Sequence, residues 1–274
     1  MSAIRDRQRI IINLTKGATS MAARLVDLKK PQTWEFSGFS QNGEDGILDV
    51  LRNNLSRSNK YFIEIGSADG VDNNSAWLVI VAKYKGIMID GNLTLINRAK
   101  RMISQYSLGL KCIHMFVNKE SAKEILNQSQ FSDPDIFSLD IDGNDYYIAN
   151  ALFNIGFRPK IFVVEYNSVF GPVNSKTIPY KDNFVFTEAH SSNLYYGVSI
   201  TAWRKFFQEK GYKFVTVDNN GVNAFFVDPV HFEDEFLSNI ASIDFVENQL
   251  QFFKFRQNFE GQFKLIENMD FVDV

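Results

Sequence analysis

Short apolar runs alternate with amphipathic stretches between residues 60 and 165, and this alternation constrains the fold more than any other feature of the chain. Runs such as FIEI, IFSL and IFVV are largely apolar, as expected of strands that are covered on both faces. The stretches between them have the spacing of helices that bury one side. The alternation therefore predicts right-handed βαβ units and a parallel sheet with helices on both faces.

The element boundaries follow from the same periodicity. The predicted strands are 61–65, 86–89, 108–117, 136–139, 160–165, 212–217 and 223–227. The predicted helices are 75–84, 93–105, 121–128, 145–154 and 199–210. Together they give an α/β fold with a Rossmann-like sheet.

The chain is expected to have a central domain with an extension at each end. Residues 1–58 are predicted to be a helical N-terminal cap, residues 59–228 the Rossmann-like catalytic domain, and residues 229–274 a C-terminal extension. Within the central domain, residues 167–197 lack periodicity and are rich in polar and aromatic side chains. A connection of that length without regular structure is uncommon, so it is predicted to be a substrate loop or lid.

Helical spacing recurs within the N-terminal cap. The stretches IRDRQRIIINL and MAARLVDLKK are predicted to be helices, with Pro31 ending the second, and EDGILDVLRNNL is predicted to start a third after Gly43.

Charge and cysteine usage exclude several functional classes. The 274 residues carry a formal net charge of -3, which gives no electrostatic footprint for nucleic acid. The single cysteine, Cys112, excludes an internal disulfide and a multi-cysteine metal site. The N-terminal stretch lacks the pattern of a signal peptide, and no apolar run is long enough to span a bilayer. A cytoplasmic, soluble protein is therefore expected.

The ends of the first two strands carry candidate ligand-binding residues. A parallel sheet binds ligands beyond the carboxyl ends of its strands, where Glu64 and Gly66 follow the first strand. Asp90 ends the second strand at a spacing suited to an acidic residue that accepts hydrogen bonds from ribose hydroxyls. Because the full G-x-G-x-x-G pattern is absent, a nucleoside without pyrophosphate, such as S-adenosylmethionine (SAM), fits better than a dinucleotide. A plain strand-to-helix turn at Gly66 is the alternative.

Carboxylates also cluster after the fourth and fifth strands. The segment IFSLDIDGNDYY places Asp140 and Asp142 at one strand end, and Glu165 ends the next. Repulsion between close carboxylates can be relieved by a cation, either a sulfonium or a divalent metal such as Mg²⁺. An EF-hand calcium loop is disfavoured because its terminal glutamate is replaced by Ala151. Asp145 is expected to cap or to begin the helix that follows.

One histidine is a candidate catalytic base. His190 lies in the predicted lid, where an imidazole could act with Asp142 and Glu165 on a substrate hydroxyl. A surface loop histidine without a catalytic role is the alternative. His114 and His231 are interpreted as structural.

Several of these segments resemble a known family. FIEIGSADGVDNNSAWLV, GIMIDGN and DIFSLDIDGNDYYIANAL are similar to the SAM-binding core of class I methyltransferases. The resemblance extends to FSQNGEDGIL before the first strand and to the segment after the lid, and it is greatest with FkbM-like and macrocin-type O-methyltransferases that act in bacterial glycan or capsule biosynthesis. It implies a seven-stranded, mostly parallel sheet whose last strand is antiparallel.

The resemblance also implies roles for individual residues. The implied cofactor-binding residues are Gln41, Asp45, Glu64, Gly66, Asp69, Gly70, Asp90, Asn92, Phe116, Val117, Asn118 and Asp140. Macrocin-type enzymes bind magnesium through acidic residues after the fourth and fifth strands. Asp142 and Glu165 are the corresponding candidates here, although the adjacent acidic pair of that group is replaced by Glu165-Tyr166.

The leading hypothesis is a SAM-dependent O-methyltransferase acting on a sugar, a sugar nucleotide or a related polar small molecule. The alternatives are an NAD(P)-dependent oxidoreductase on a Rossmann-like fold, and a non-catalytic α/β binding or assembly module. The Phe-rich tail FVENQLQFFKFRQNF is a candidate surface for a homo-oligomer.

Overall fold

The fold is described by a computed structural model that covers residues 2–274, with side chains from residue 4 onward. Its main sheet has seven strands in the spatial order β3-β2-β1-β4-β5-β8-β7. Those strands are β1 (Tyr61–Ile65), β2 (Lys85–Asp90), β3 (Leu110–His114), β4 (Ile136–Leu139), β5 (Ile161–Glu165), β7 (Lys213–Val217) and β8 (Asn223–Val227). The strands β1 to β5 pair in parallel, and β8 is antiparallel to both of its neighbours. The predicted fold class, a Rossmann-like sheet with an antiparallel last strand, is confirmed.

Helices cover both faces of this sheet, and further short helices lie in the predicted lid and the C-terminal extension. They are α1 (Ser2–Ala23), α2 (Glu44–Asn53), α3 (Ala76–Ile80), α4 (Leu93–Ile103), α5 (Ala122–Gln128), α6 (Asp145–Asn154), α7 (Phe186–Ala189), α8 (Ile200–Glu209), α9 (Asp234–Ser238), α10 (Gln249–Phe255) and α11 (Phe259–Phe263). None of the described helices is long and apolar enough to cross a membrane.

Alternate residues of each central strand enter different hydrophobic cores. In β1, Phe62 belongs to the cluster that also contains Trp34 and Trp77, whereas Ile63 belongs to the cluster on the opposite face with Trp203. This period-two division is what a strand covered on both sides requires. The N-terminal segment thus packs on one face of the sheet and α8 on the other.

The prediction of two helices before Pro31 is wrong. The structure has one helix that ends at Ala23, and Pro31 begins a short 3-10 helix (Pro31–Thr33). The chain leaves the helix because Arg24 turns inward, where its guanidinium pairs with buried Asp49 at 2.5 Å and also donates to the carbonyl of Trp34. A buried ion pair of this kind overrides the helical propensity of the residues that follow.

The C-terminal extension packs on the predicted lid. The strand β9 (Val272–Asp273) pairs with β6 (Lys176–Thr177) inside the lid, forming a second, two-stranded sheet. The Tyr195 hydroxyl donates to the carbonyl of Asp270 at 2.6 Å. The C-terminal extension contains three short α-helices, α9, α10 and α11. It also contributes Ile266 to a third hydrophobic cluster, which it shares with residues of the predicted lid.

Candidate functional site

A cavity of about 420 Å³ opens beyond the carboxyl ends of β1, β2 and β4. Strand order reverses here, because the chain moves outward from β1 to β3 and then returns to β4 on the other side of β1. Such a switch point leaves a crevice between the connecting loops. The residues lining the cavity are Gln41, Ile65, Gly66, Ala68, Asp72, Asp90, Gly91, Leu95, Met115, Phe116, Val117, Asp140, Ile141, Asp142, Asn144 and Phe184.

Gly66 allows the turn after β1 to approach the end of β4. Its φ is +87°, and a Cβ placed there would lie 1.6 Å from the carbonyl oxygen of Asp140. The amides of Gly66 and Ser67 both donate to the carbonyl of Ile89, at 2.9 and 3.1 Å. Only glycine satisfies both the left-handed conformation and this contact.

Asp90 organises the loops on the β2 side of the cavity. Its Oδ2 accepts from the amide of Ala68 and its Oδ1 from the amide of Asn92, each at 2.7 Å. Because each carboxylate oxygen has two acceptor positions, both oxygens can accept one more hydrogen bond from a ligand in the cavity. The carboxylate is thus positioned to bind two neighbouring hydroxyl groups.

Apolar side chains line the cavity beside Asp90. Leu95 from α4 and the consecutive residues Met115, Phe116 and Val117 after β3 contribute to this wall, and Phe116 is 47% exposed. A wall of this composition suits a flat aromatic group such as a nucleobase.

A smaller, acidic cavity of about 70 Å³ adjoins the first and shares Gln41, Gly66, Asp72 and Asp140 with it. It is also lined by the carboxylates of Glu44 and Glu64, as well as by asparagine side chains.

One asparagine of this small cavity has a free acceptor. Asn223 is 4% exposed and its Nδ2 donates to Glu44, but its Oδ1 has no hydrogen-bond partner among the described residues. A buried acceptor without a partner, surrounded by carboxylates, favours a cationic donor such as an ammonium group.

Glu64 is fully buried at the end of β1. Its Oε1 accepts from the amide of Asn74 at 2.8 Å, and its Oε2 accepts from the hydroxyl of Ser75. Burial is the main cause that raises the pKa of Glu64 to about 7, and the negative charge of Asp45 adds to it.

This raised pKa predicts a pH dependence of stability. Between pH 4.5, where glutamate ordinarily ionises, and about 7, the unfolded chain loses a proton that folded Glu64 keeps. The free energy of unfolding therefore falls as the pH rises through this window. We expect Glu64→Gln to reduce that slope by up to about 1.4 kcal/mol per pH unit in urea denaturation. The exposed lid variant Glu188→Gln is the control, and an equal slope in wild type and Glu64→Gln would contradict the assignment.

Three carboxylates meet where β4 and β5 end. Oxygen atoms of Asp140, Asp142 and Glu165 all lie within 4.8 Å of one another, a spacing that could hold a metal ion. Burial, followed by the charge of Asp145, raises the pKa of Asp142 to about 6. Burial, followed by the charges of Asp142 and Asp145, raises the pKa of Asp140 well above the ordinary range, and burial, followed by the charges of Asp140 and Asp142, does the same for Glu165. A divalent cation would relieve this repulsion.

Asp145 lies beside this cluster and is the first residue of α6. Its two carboxylate oxygens accept from the amides of Ile141 and Gly143, at 3.0 and 2.8 Å. These contacts shape the loop that carries Asp142, whose φ is +52°.

Three residues that the resemblance implies as cofactor-binding, Asp45, Asp69 and Gly70, do not line the cavity, and each makes contacts that stabilise the surrounding fold. Asp45 accepts from three successive backbone amides, those of residues 38–40. Asp69 forms ion pairs with Arg9 and Arg98 and thereby ties α1 to α4. Gly70 faces Ala99 and Ile103 of α4, and a Cβ on it would lie 2.9 Å from the Ala99 methyl group.

The predicted asparagines and histidine also lie apart from the lining. Asn92 caps α4, and Asn118 caps the following 3-10 helix (Lys119–Ser121). In the lid, Nδ1 of His190 is 2.8 Å from the hydroxyl of Ser192.

Sequence reasoning missed four notable lining residues: Asp72, Met115, Asn144 and Phe184. Asp72 and Asn144 lie within the segments that carry the family resemblance, so their polar character next to strand ends was an available signal. Phe184 could not be found this way, because only the fold of the lid brings it against Gly143, where its ring lies 2.6 Å from the position of a Cβ.

No protein-family model and no curated protein matches the sequence. Among solved structures, the chain is similar to the O-methyltransferase from Bacillus cereus in complex with SAH, with 13% identity, a TM-score of 0.44, and coverage of 80% of this chain and 89% of that one. It is also similar to the O-methyltransferase TomG from Streptomyces achromogenes, involved in tomaymycin synthesis and in complex with SAM, with 14% identity, a TM-score of 0.44, and coverage of 78% and 95%. Because both TM-scores are below 0.5, the fold is assigned from the strand order itself.

Proposed function

We propose that the chain is a SAM-dependent O-methyltransferase. The observation that carries this proposal is that Asp90 and an apolar wall line one cavity, which an acidic cavity adjoins. The ribose of SAM would be held by Asp90, its adenine by Leu95 and Phe116, and its ammonium group by the small cavity that contains Asn223. The free acceptor on buried Asn223 fits such a donor.

The charge of the cavity argues against a dinucleotide. Asp72 and Asp140 lie in the lining beside the Gly66 turn, where a Rossmann dehydrogenase would hold a pyrophosphate. Asp72 pairs with Arg9, so the acidic character there comes mainly from Asp140 and the neighbouring Asp142, and such a lining would attract a sulfonium more than a phosphate group. An NAD(P)-dependent oxidoreductase is thus disfavoured on electrostatic grounds.

When bound, SAM supplies an electrophilic methyl group on its sulfonium. In the proposed mechanism, Asp142 or Glu165 would accept the proton of an acceptor hydroxyl, which would make its oxygen a better nucleophile toward that methyl group. Burial, followed by the charge of Asp145, raises the pKa of Asp142 to about 6, which suits this role because a general base works best when its pKa is near the operating pH. The predicted lid, which contributes Phe184 to the cavity, would align the acceptor oxygen with the methyl carbon.

The acceptor is proposed to be a sugar, a sugar nucleotide or a related polar molecule of surface-glycan biosynthesis. Aromatic side chains of the lid support this, since Tyr180 packs edge-to-face on Tyr147 at 5.3 Å and Phe184 lines the cavity. We also predict that His190 acts with the carboxylates of the proposed mechanism on the acceptor hydroxyl. A cytoplasmic location and a homo-oligomer are two further predictions.

Calorimetric titration with SAM and S-adenosylhomocysteine, with NADH and NADPH as controls, tests the proposed cofactor. We expect saturable binding of the SAM pair and none of the nicotinamides. Binding of a nicotinamide instead would overturn the proposal, and binding of neither would favour the non-catalytic module.

We further propose that Asp140, Asp142 and Glu165 hold a divalent metal ion that orients the acceptor hydroxyl. Titration with Mn²⁺ should then show one site, weakened at least about tenfold by Asp142→Asn or Glu165→Gln, because each variant removes a charged ligand. Asp72→Asn changes a carboxylate elsewhere in the same cavity and should leave Mn²⁺ affinity unchanged. Equal Mn²⁺ affinity in the wild type and all three variants would contradict the metal assignment.

A further inference from the structure

A second cavity lies at the opposite end of the sheet, where β1 and β2 begin. This basal cavity has a volume of about 390 Å³, close to that of the candidate cofactor cavity. Its lining consists of Ser58, Asn59, Lys60, Tyr61, Lys83, Lys85, Gln130 and Phe131. It therefore has three ammonium groups, two amides and no carboxylate.

The three lysines carry uncompensated charge. The lysine ion pairs in the described part of the chain involve Lys30, Lys119, Lys160 and Lys176. None of the three basal lysines forms one there, although Nζ of Lys83 donates to the carbonyl of Ile80 at 2.7 Å and the protein as a whole has a net charge of -3. A concave surface with one sign of charge concentrates ligands of the opposite sign.

A buried network builds the wall that carries Lys60. Asp135 is fully buried, and its carboxylate accepts from the amides of Asn59 and Lys60, at 2.9 and 3.0 Å, and from the hydroxyl of Ser58. The ammonium of Lys160 balances this carboxylate at 2.8 Å. The loop is thus held in place by interactions that do not involve the basal lysines' side chains.

The backbone at two of these lysines favours glycine. Lys60 has a φ of +50° and Lys83 a φ of +60°, both in the left-handed region. Lys83 lies two residues past Val81, the C-cap of α3. Lysine is destabilising relative to glycine at both positions, yet both side chains line the same cavity.

We propose that the basal cavity binds a small phosphate-bearing anion through Lys60, Lys83 and Lys85. Lysine binds phosphate as a point charge, and the amide groups of Asn59 and Gln130 can add hydrogen bonds. The half-buried ring of Phe131, which packs on Tyr61 at 5.4 Å, offers an apolar surface for the rest of the ligand. This inference does not rest on the proposed methyltransferase activity.

Isothermal titration with pyrophosphate tests it, in EDTA to exclude binding through a metal, at about 0.15 M salt to screen non-specific attraction. A parallel titration contains saturating S-adenosylhomocysteine and is expected to give the same affinity. Lys85→Gln leaves the backbone unperturbed and should weaken binding about tenfold. Lys83→Gly should weaken it similarly while raising the midpoint of thermal unfolding, because glycine relieves the left-handed strain.

Arg256→Gly is the matched control, since Arg256 has a φ of +55° and lies outside the basal cavity. It should raise the unfolding midpoint without changing pyrophosphate affinity. ADP is titrated in the presence of S-adenosylhomocysteine: ADP binding tighter than pyrophosphate indicates a nucleotide ligand, and equal binding indicates a free diphosphate. Absence of saturable binding by both, or equal affinities in wild type, Lys83→Gly and Lys85→Gln, would overturn the proposal.

Discussion

Replacing Gly66 with alanine is expected to cost more than about 3 kcal/mol of folding free energy, because two penalties combine. The left-handed φ of +87° disfavours any side chain, and the new methyl carbon would lie 1.6 Å from the carbonyl oxygen of Asp140. The second penalty cannot be relieved by rotating a side chain, since the obstacle is backbone. Either β1 and β4 separate at their ends or the turn unfolds, and SAM binding is expected to be lost with it.

Gly156 supplies the matched control. It has a similar φ of +84°, but nothing lies within 4 Å of the position of its Cβ. Gly156→Ala should therefore cost only about 1 kcal/mol, the penalty of the backbone conformation alone. Urea denaturation of both variants separates the two contributions. If Gly66→Ala and Gly156→Ala are equally stable, the close approach of the turn to β4 is wrong.

Replacing Asp90 with alanine is expected to weaken SAM binding about 100-fold, or ~3 kcal/mol, since two hydrogen bonds to a charged acceptor would be lost. The measurement is calorimetric titration with S-adenosylhomocysteine. Unchanged affinity would remove Asp90 from the ribose role.

Loop disruption has to be separated from lost ligand contacts in this experiment, because Asp90 also holds the amides of Ala68 and Asn92. Asn92→Ala is the control. It removes the side-chain cap of α4, which costs about 1 kcal/mol of stability, but it leaves the Asp90 carboxylate in place. SAM affinity should therefore survive in Asn92→Ala and fall in Asp90→Ala. A similar loss in both would mean that loop order, and not ribose binding, is the role of Asp90.

Local sequence determined the sheet because its strands are buried on both faces. A strand in that environment needs a continuous apolar run, and such runs can be read directly: β1, β4 and β8 have their predicted bounds. The apolar signal fails where burial is partial. The predicted strand 108–117 is reduced to β3 (Leu110–His114), a strand none of whose residues is fully buried.

The strand-end residues were predictable for a related reason. Parallel strands place their carboxyl ends at one edge of the sheet, so Gly66, Asp90 and Asp140 had to lie near one another once the strands were known. Their chemical surroundings were not predictable. The ion pairs of Asp69 with Arg9 and Arg98 join residues that are far apart in the chain, and no local sequence pattern indicates which residues will pair.

The sequence by itself determined which segments of the main sheet are strands, and therefore which edge of that sheet carries the candidate site. Only the tertiary structure decided what covers that edge. The predicted lid pairs with the C-terminal extension through β6 and β9, two-residue strands too short to leave a periodic signal. The same holds for the basal cavity, whose lysines look like ordinary surface charge until β1 and β2 bring them together. Periodicity encodes burial against the nearest face of an element, whereas partners across the fold depend on how the faces are assembled.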